Sequence, residues 1–322
     1  MTNFQVYRKT LSFSLVKFLV DILVIAIVAG CAAAGFFIFN QSTDKALIGL
    51  VFGLLLGIII SIFVKIFVSN RISAAQIAMM TKGVTEDSLP DGTFKAGFAE
   101  LKGRFAKITA FFFVTNAIKG IFRQIGRGIN KIGTAVGGDV GNTVTSVIDS
   151  AIQTLIGYLC DCCLGWILYR KDIGAAKAGC EGAVIFFKHG KTLFRNIGRI
   201  FGMGFLSFLL VGGGFFGIFF LIFSQFPGAF QALSSEVVEA FVRAGEEAPE
   251  FLANTTFFIA VIAAVSGIVI WSVLHSVLIR PFILVGVLRN FMASGQKDIP
   301  TEQDFKELDG KYPRFAKLHN NI

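Results

Sequence analysis

Long apolar runs, separated by shorter polar and charged segments, dominate the pattern of this sequence. Five of them reach the ~20 residues with which an α-helix crosses a hydrocarbon core of ~30 Å. They are Leu15–Asn40, Ala46–Ser69, Val144–Tyr169, Phe201–Phe226 and Thr255–Ile279. No stretch shows the alternation of apolar and polar residues that marks the strands of a membrane barrel. The pattern therefore predicts an all-α, polytopic membrane protein.

A sixth and shorter run, Ile108–Phe122, completes the predicted topology. It leads into an amphipathic segment in which basic residues recur every four positions: Lys119, Arg123, Arg127 and Lys131. If Val144–Tyr169 crossed the membrane and Ile108–Phe122 did not, the most basic loop would lie outside, against the positive-inside rule. We therefore expect about six transmembrane helices with both termini in the cytoplasm, and we assign no role to the basic stripe.

Loop charge agrees with this orientation. Basic residues outnumber acidic ones in 65–107 and in 170–199, the two loops expected in the cytoplasm. The loop 227–253, expected outside, has five glutamates and one arginine. Because Lys and Arg concentrate on the cytoplasmic side of membrane proteins, we expect an integral protein of the plasma (cytoplasmic) membrane in this orientation.

Composition narrows the class of partner. The mean hydropathy is +0.70, only 16% of residues are charged, and the formal net charge is +9. In a soluble protein this charge would suggest nucleic acid. Here the basic residues flank the apolar spans, where anionic lipid headgroups attract them. We therefore expect the lipid bilayer, and no nucleic acid, as the partner.

One cytoplasmic segment has the pattern of a helix that lies on the inner leaflet. Basic residues share one face of residues 186–199, and aromatic and aliphatic residues share the other. Amphipathic interfacial helices have this distribution, because the apolar face enters the lipid and the basic face meets the headgroups. The candidate ligands of anionic lipid headgroups are Lys188, Lys191, Arg195 and Arg199.

Three of the five cysteines lie within YLCDCCLGW, residues 158–166. Such a cluster is either a metal or redox site or a set of cysteines that pack between helices. Cys160, Cys162 and Cys163 diverge around a helix, so they cannot enclose a tetrahedral zinc ion by themselves. The three histidines are in separate segments, and no nucleophile, base or metal cluster converges in the sequence. We therefore predict packing cysteines, with no metal, no cofactor and no enzymatic activity.

Several stretches from residue 97 onward resemble the C-terminal half of the choline transporter-like family of membrane proteins. GFAELKGRFAKITAFFFVTNAIKGIFRQI resembles that family's mid-chain span, and IGYLCDCCLGWILYRKD resembles its cysteine-rich stretch. GAVIFFKHGKTLFRNIGRIFGMGFLSFLLVGGG and VLHSVLIRPFILVGVLRNFMASG resemble later segments. The resemblance implies a bundle that moves a choline-like cation. The chain is about half the family's usual length, and Arg280-Pro281 stands in a last span where the family has acidic residues.

The chain divides on this basis into three parts of one membrane domain. Residues 1–96 are a helical pair with a cytoplasmic segment, 97–292 are the family-like bundle, and 293–322 are a cytoplasmic tail. Pro281 interrupts a long apolar run. Because proline cannot continue helical hydrogen bonding, we expect a kink or break there.

Polar residues within the predicted spans are the candidate substrate ligands. A polar stripe follows one face of 142–160, and on it Asp149 would attract a cation, carry a proton or reach the headgroups at the outer end. Trp271 lies four residues before His275, and an indole face binds quaternary ammonium, although packing is the alternative. The candidate substrate-binding residues are Ser146, Asp149, Gln153, Tyr158, Trp271 and His275.

Three functions stay open at this point. The first is a permease for a choline-like or other small cation, with the polar stripe lining its path. The second is a non-transporting, oligomeric membrane scaffold or lipid-interacting protein. The third is an ion channel. Glycines spaced by four at 53/57, 133/137/141 and 213/217 permit close helix contact and favour a tight bundle or a homo-oligomer.

Overall fold

The computed structural model describes residues 1–39, 43–104, 116–121, 123, 141–194, 197–245 and 247–320, and its elements are helical. Side chains are described in these ranges outside 43–47, 104, 141–152, 190–194 and 197–199. In chain order we label the helices α1 (Asn3–Lys9), α2 (Leu11–Ile38), α3 (Thr43–Val64), α4 (Asn70–Thr85), α5 (Thr93–Arg104), α6 (Gly141–Tyr169), α7 (Ala175–Phe194), α8 (Ile197–Ser207), α9 (Gly213–Phe223), α10 (Pro227–Arg243), α11 (Thr255–Leu274), α12 (Arg280–Lys297), α13 (Glu302–Lys311) and α14 (Pro313–His319).

Three π-helical turns lie within longer helical stretches. They are Lys65–Ser69 between α3 and α4, Phe208–Gly212 between α8 and α9, and His275–Ile279 between α11 and α12. A 3₁₀ turn, Glu250–Ala253, precedes α11. Asn254 caps the start of α11, since its side-chain oxygen accepts a hydrogen bond from the backbone N–H of Thr256.

Among the described residues, four helical stretches are long and apolar enough to cross a membrane: Leu11–Ile38, Ile48–Thr85, Ile200–Phe223 and Thr255–Lys297. The described part is helical and has the character of an integral membrane protein, and these stretches overlap four of the predicted spans. The predicted span Val144–Tyr169 is helical as part of α6, whereas most of 108–122 lies outside the described residues. The total of about six crossings stays a prediction.

Two of these four stretches are longer than one crossing requires. At ~1.5 Å per residue, the 38 residues of Ile48–Thr85 extend ~57 Å and the 43 residues of Thr255–Lys297 extend ~65 Å. The hydrocarbon core is only ~30 Å thick. Both helices therefore continue well beyond a single crossing, past the ends that the hydropathy pattern predicts at Ser69 and Ile279.

The chain forms two compact units. The first comprises residues 1–198 together with 281–322, and the second comprises residues 199–280. The first unit contains the pair α2–α3 and a group of helices that we call the helical body. The helical body consists of α4, α5, the C-terminal part of α6, α7, α12, α13 and α14.

Glycines bring α2 and α3 into backbone contact in the first unit. A methyl group at Gly53 would overlap the carbonyl oxygen of Cys31, and one at Gly57 would lie 2.8 Å from a Cα atom of α2. Gly35 and Gly49 face each other in the same way. This is the close approach that small residues spaced by four permit in membranes, so the predicted contact at 53/57 is confirmed.

The helical body has a closely packed interior that begins just after the first π turn. Residues 48–68 expose many large apolar side chains, whereas most residues from Ile72 to Thr81 are buried. Gly295 lets α12 approach α6, because a methyl group there would lie 2.6 Å from the Trp166 indole. The largest fully buried side chains of the first unit include Phe13, Trp166, Phe291, Phe305 and Phe315.

The second unit also contains a helix pair joined at glycine. A methyl group at Gly267 on α11 would lie 2.9 Å from the carbonyl oxygen of Gly212. By contrast, methyl groups at Gly213 and Gly217 would meet no atom within 4 Å among the described residues. The predicted contact face at 213/217 is therefore unfilled here, and most of the 133/137/141 face lies outside the described residues.

The prediction at Pro281 was a kink or a break, and the break is wrong, because the helix continues through this residue; the kink stays a prediction. The π turn His275–Ile279 lies just before this residue, and α12 continues to Lys297. Proline lacks an N–H group, and its ring clashes with the carbonyl group four residues earlier. A wider turn at this point accommodates the missing hydrogen bond without ending the helix.

Candidate functional site

The predicted polar stripe lies on α6, which the structure describes only in part at the side-chain level. The backbone at Ser146 and Asp149 is helical, and their side chains lie outside the described part. Gln153 is exposed and Tyr158 is buried, with 3% of its surface accessible. Between Gln153 and Tyr158 the stripe therefore passes from an exposed position into the helical body.

Trp271 packs against its neighbours in the second unit. Its indole Nε1–H donates to the hydroxyl oxygen of Ser207 at 3.2 Å. Its ring meets Phe208 edge-on with centroids 5.1 Å apart, and it lies 5.3 Å from the ring of His275. These contacts fit the packing alternative for Trp271 and His275 better than an open face for a quaternary ammonium group.

Lys188, the first of the four candidate lipid ligands, makes contacts within the helical body. Its ammonium donates to Asp298 Oδ1 at 3.0 Å and to Asp304 Oδ2 at 3.2 Å. The hydrogen bond to Asp298 is the main reason why the pKa of Lys188 is raised. The side chains of Lys191, Arg195 and Arg199 lie outside the described part, so the expectation of a lipid-binding face now rests on these three residues.

The cysteine-rich stretch forms part of the contact between α6 and α7. Cys162, Cys163 and Cys180 are buried, and all five cysteines are free thiols. A methyl group at Gly182 on α7 would lie 2.8 Å from the sulfur of Cys163. Among the described residues, no group of three metal-ligating side chains is close enough to hold an ion. The geometry is that of cysteines packed between two helices.

A buried polar network adjoins these cysteines and was not predicted from the sequence. Trp166 Nε1–H donates to Glu181 Oε2 at 2.8 Å, and Arg170 Nη1 donates to the same oxygen at 2.9 Å. Arg170 Nε also donates to Asp172 at 2.8 Å. The side chain of Glu181 is only 3% exposed. Burial raises the pKa of Glu181, and the hydrogen bond from Trp166 and the charge of Arg170 oppose that rise.

Two cavities lie along α4 in the helical body. The first, which we call the cysteine-side cavity, has a volume of about 70 Å³ and lies between α4 and α6. Asn70 and Ser73 line it from α4, and Cys160 and Asp161 line it from α6. Asp161 follows the inner end of the predicted polar stripe, so this cavity is the described feature nearest to the expected transport path.

The second cavity, which we call the charged cavity, lies between α4, α5 and α6 and has a volume of about 150 Å³. Lys82 is 3.8 Å from both Glu86 and Glu100. Lys171 pairs directly with Glu100. The remaining wall includes the side chains Ala78, Thr81, Thr85, Leu168 and Tyr169.

The charged cavity has only a weak signal in the sequence. Lys82 and Glu86 are four residues apart, a spacing typical of ordinary surface ion pairs on helices. Glu100 lies on α5 and Lys171 in the turn after α6, and no periodicity within α4 could predict their approach. The sequence suggests functional residues among the polar groups inside the predicted apolar spans. The charged side chains of the cavity lie outside those spans, and the cavity was therefore not predicted.

Comparisons with known proteins identify no relative. No family model matches the chain, and neither a curated protein nor a solved structure is significantly similar to it. The resemblance to the choline transporter-like family therefore remains an expectation drawn from the sequence, and the function must be argued from the geometry.

Proposed function

We propose that this chain is an oligomeric membrane scaffold, in which apolar helix pairs associate in the bilayer and carry the helical body at the cytoplasmic surface. The observation that carries the proposal is the contrast in burial along continuous helices. Only 17% of the apolar window of Ile48–Thr85 is buried, whereas most residues from Ile72 to Thr81, at the other end of that stretch, are buried. The apolar windows of Leu11–Ile38 and Ile200–Phe223 are each 6% buried.

The apolar helix pairs have features that favour contact with other helices as well as with lipid. Each pair meets at glycine, at Gly53 in the first unit and at Gly267 in the second, so this chain uses glycine where helices touch. Gly213 and Gly217 repeat that spacing on a surface with no neighbour among the described residues. Helix association in membranes depends on such small-residue faces, and a second copy of the chain would fill this one.

The cytoplasmic side is favoured for the helical body by charge. The body contains the basic segments 65–104 and 170–194, which the positive-inside rule assigns to the cytoplasm. Many charged side chains of the body are partly exposed. They also favour water or a polar surface, because charges are costly in hydrocarbon.

The stoichiometry of the protein in lipid nanodiscs tests this proposal. We expect single-molecule photobleaching of a fluorescently labelled protein to show two or more copies per assembly. The double variant Gly213→Leu, Gly217→Leu should reduce that number, whereas Gly228→Leu, an open glycine in α10, should not. Single copies at every protein density would contradict the scaffold proposal.

A second candidate is passage of a small cation, and the cysteine-side cavity is the observation that favours it. Its wall combines the Asp161 carboxylate with the polar side chains Asn70 and Ser73, and Lys119 also lines it. The carboxylate favours a cationic solute, and the Lys119 ammonium opposes one. The test is uptake of labelled choline and a panel of other cations into vesicles that contain the purified protein. We expect Asp149→Asn and Asp161→Asn to reduce uptake, and absence of uptake by the unmodified protein would leave the scaffold function.

A further inference from the structure

The charged cavity has walls of opposite charge within a few ångströms of each other. Lys171 and Glu100 form a close pair, so their charges largely cancel. The Lys82 ammonium then lies 3.8 Å from the carboxylate of Glu86, the residue that caps the C-terminal end of α4. The cavity therefore presents one positive and one negative group side by side, with little net charge.

Lys82 is placed to bind a further group. Its ammonium lies 3.8 Å from Glu86 and also 3.8 Å from Glu100, which is beyond the distance of an N–H···O hydrogen bond. A lysine ammonium carries three N–H donors, and a ligand oxygen between these groups would satisfy them better than either glutamate does here.

Thr81 also lines the cavity, but its Oγ1 lies against Gly165 of α6 and is not accessible from the cavity. Ala78 of α4 and Leu168 of α6 provide apolar contacts in the same wall.

Size and charge together define the ligand. In another protein, an engineered cavity of ~150 Å³ accommodates benzene, and the charged cavity has about the same volume. Alanine has as many non-hydrogen atoms as benzene. A simple anion bound to Lys82 would be repelled by Glu86, and a simple cation bound to Glu86 would be repelled by Lys82. An α-amino acid carries both charges on neighbouring groups and avoids both repulsions. We propose that the charged cavity binds a small zwitterionic α-amino acid, with its carboxylate on Lys82, its ammonium on Glu86 and its side chain toward Ala78 and Leu168.

Equilibrium dialysis with the purified full-length protein in detergent tests this site. The probes are labelled L-alanine, propionate, which lacks the ammonium group, and ethylamine, which lacks the carboxylate. We expect alanine to bind at least tenfold more tightly than either analogue. We also expect Lys82→Met to weaken alanine binding at least tenfold.

The chain offers a matched control. Lys311 forms an ion pair with Glu307, also four residues apart, on the exposed surface of α13. We expect Lys311→Met to leave alanine affinity unchanged. Circular dichroism and thermal unfolding establish that both variants fold, and if Lys82→Met does not, Glu86→Gln takes its place with Glu307→Gln as its control.

Three results would overturn the inference. Equal affinity for alanine and one of its analogues would indicate a site for a single ion. Unchanged alanine binding in folded Lys82→Met and Glu86→Gln variants would place the amino acid elsewhere. No saturable binding of any probe would mean that the cavity holds only water. Copy number is not measured in these experiments, so failure here and failure of the scaffold function are separate outcomes.

Discussion

Removal of the Glu181 carboxylate is the most direct perturbation of the helical body. Glu181 accepts hydrogen bonds from Trp166 and Arg170 through one oxygen and is almost fully buried. In Glu181→Ala, the indole N–H loses its acceptor and a small void remains, whereas Arg170 keeps its contacts with Asp172. An unsatisfied buried donor costs about 1–3 kcal/mol.

The expected loss is smaller than for a fully isolated buried ion pair. Breaking such a pair costs about 3–5 kcal/mol, but here Asp172 continues to neutralise Arg170. The raised pKa of Glu181 also shows that the buried carboxylate is itself penalised, which offsets part of the loss. We therefore expect Glu181→Ala to lower the free energy of unfolding by about 2 kcal/mol. Asp172→Asn, at a side chain that is 61% exposed, should cost about 0.5 kcal/mol.

Denaturant unfolding in detergent, followed by circular dichroism and tryptophan fluorescence, measures these differences. The chain has two tryptophans, so a Trp271→Phe background leaves Trp166 as the only source of tryptophan fluorescence. In that background, loss of the hydrogen-bonded carboxylate should change Trp166 emission. If Glu181→Ala destabilises the protein no more than Asp172→Asn does, the reasoning from the buried network is wrong.

The pH dependence provides a second measurement on the same group. The pKa of Glu181 is raised in the folded protein from its ordinary value of 4.5, mainly by burial. The folded state therefore holds this proton more readily than the unfolded state does, and the corresponding stability is lost as pH rises through the folded pKa. Relative to Glu181→Gln, the unmodified protein should be more stable near the ordinary glutamate pKa than at neutral pH. A constant difference would contradict the assignment.

Three further predictions concern the membrane-facing parts of the chain. Gly53→Leu should destabilise the α2–α3 pair by about 1–3 kcal/mol through overpacking, as measured by denaturant unfolding. Gly30→Leu, at an open position on α2, should have little effect. Equal effects of the two variants would contradict the glycine contact. Replacement of Lys191, Arg195 and Arg199 by Gln should reduce retention of anionic lipid, measured by native mass spectrometry, since each charge contributes about 1 kcal/mol near an anionic surface; unchanged retention and salt sensitivity would refute the lipid-binding face. Single cysteines placed in 227–253 of a cysteine-free variant should react with membrane-impermeant reagents added outside the cell. Reaction only from the cytoplasmic side would mean that the predicted orientation is wrong.

The membrane helices were predictable because their signal is local and large. The runs at 15–40, 46–69, 201–226 and 255–279 each overlap, almost along their whole length, a helix that is long and apolar enough to cross. The contact at Gly53 was predictable for the same reason, since spacing along a single helix determines which glycines share a face. These inferences required no knowledge of what lies opposite each helix.

The helical body was not predictable, because hydropathy does not distinguish apolar surface that faces lipid from apolar surface that faces protein. Ile72–Met80 is rich in alanine and methionine and has moderate polarity, so it falls below the threshold of a span although it is buried. Glu181 is a single acid in an otherwise apolar stretch, and Trp166 comes from the preceding helix. The predicted break at Pro281 is wrong for a related reason, since the widened turn before it depends on backbone geometry that composition does not encode.

The π turn at Lys65–Ser69 marks the point at which the burial of side chains changes along one helix. Before it, α3 exposes large apolar side chains and touches α2 through glycine; after it, α4 is buried and carries Lys82 into the charged cavity. A turn with wider hydrogen bonding rotates the side chains that follow it relative to those before. The stretch can therefore direct one face toward α2 in the bilayer and a different face toward α5 and α6 in the body. Contact with α2 continues beyond the turn, since Gln76 Nε2 of α4 donates to Ser14 Oγ of α2 at 2.9 Å. The π turn therefore lies where one continuous helix keeps α2 as a neighbour and adds α5 and α6 on its other side.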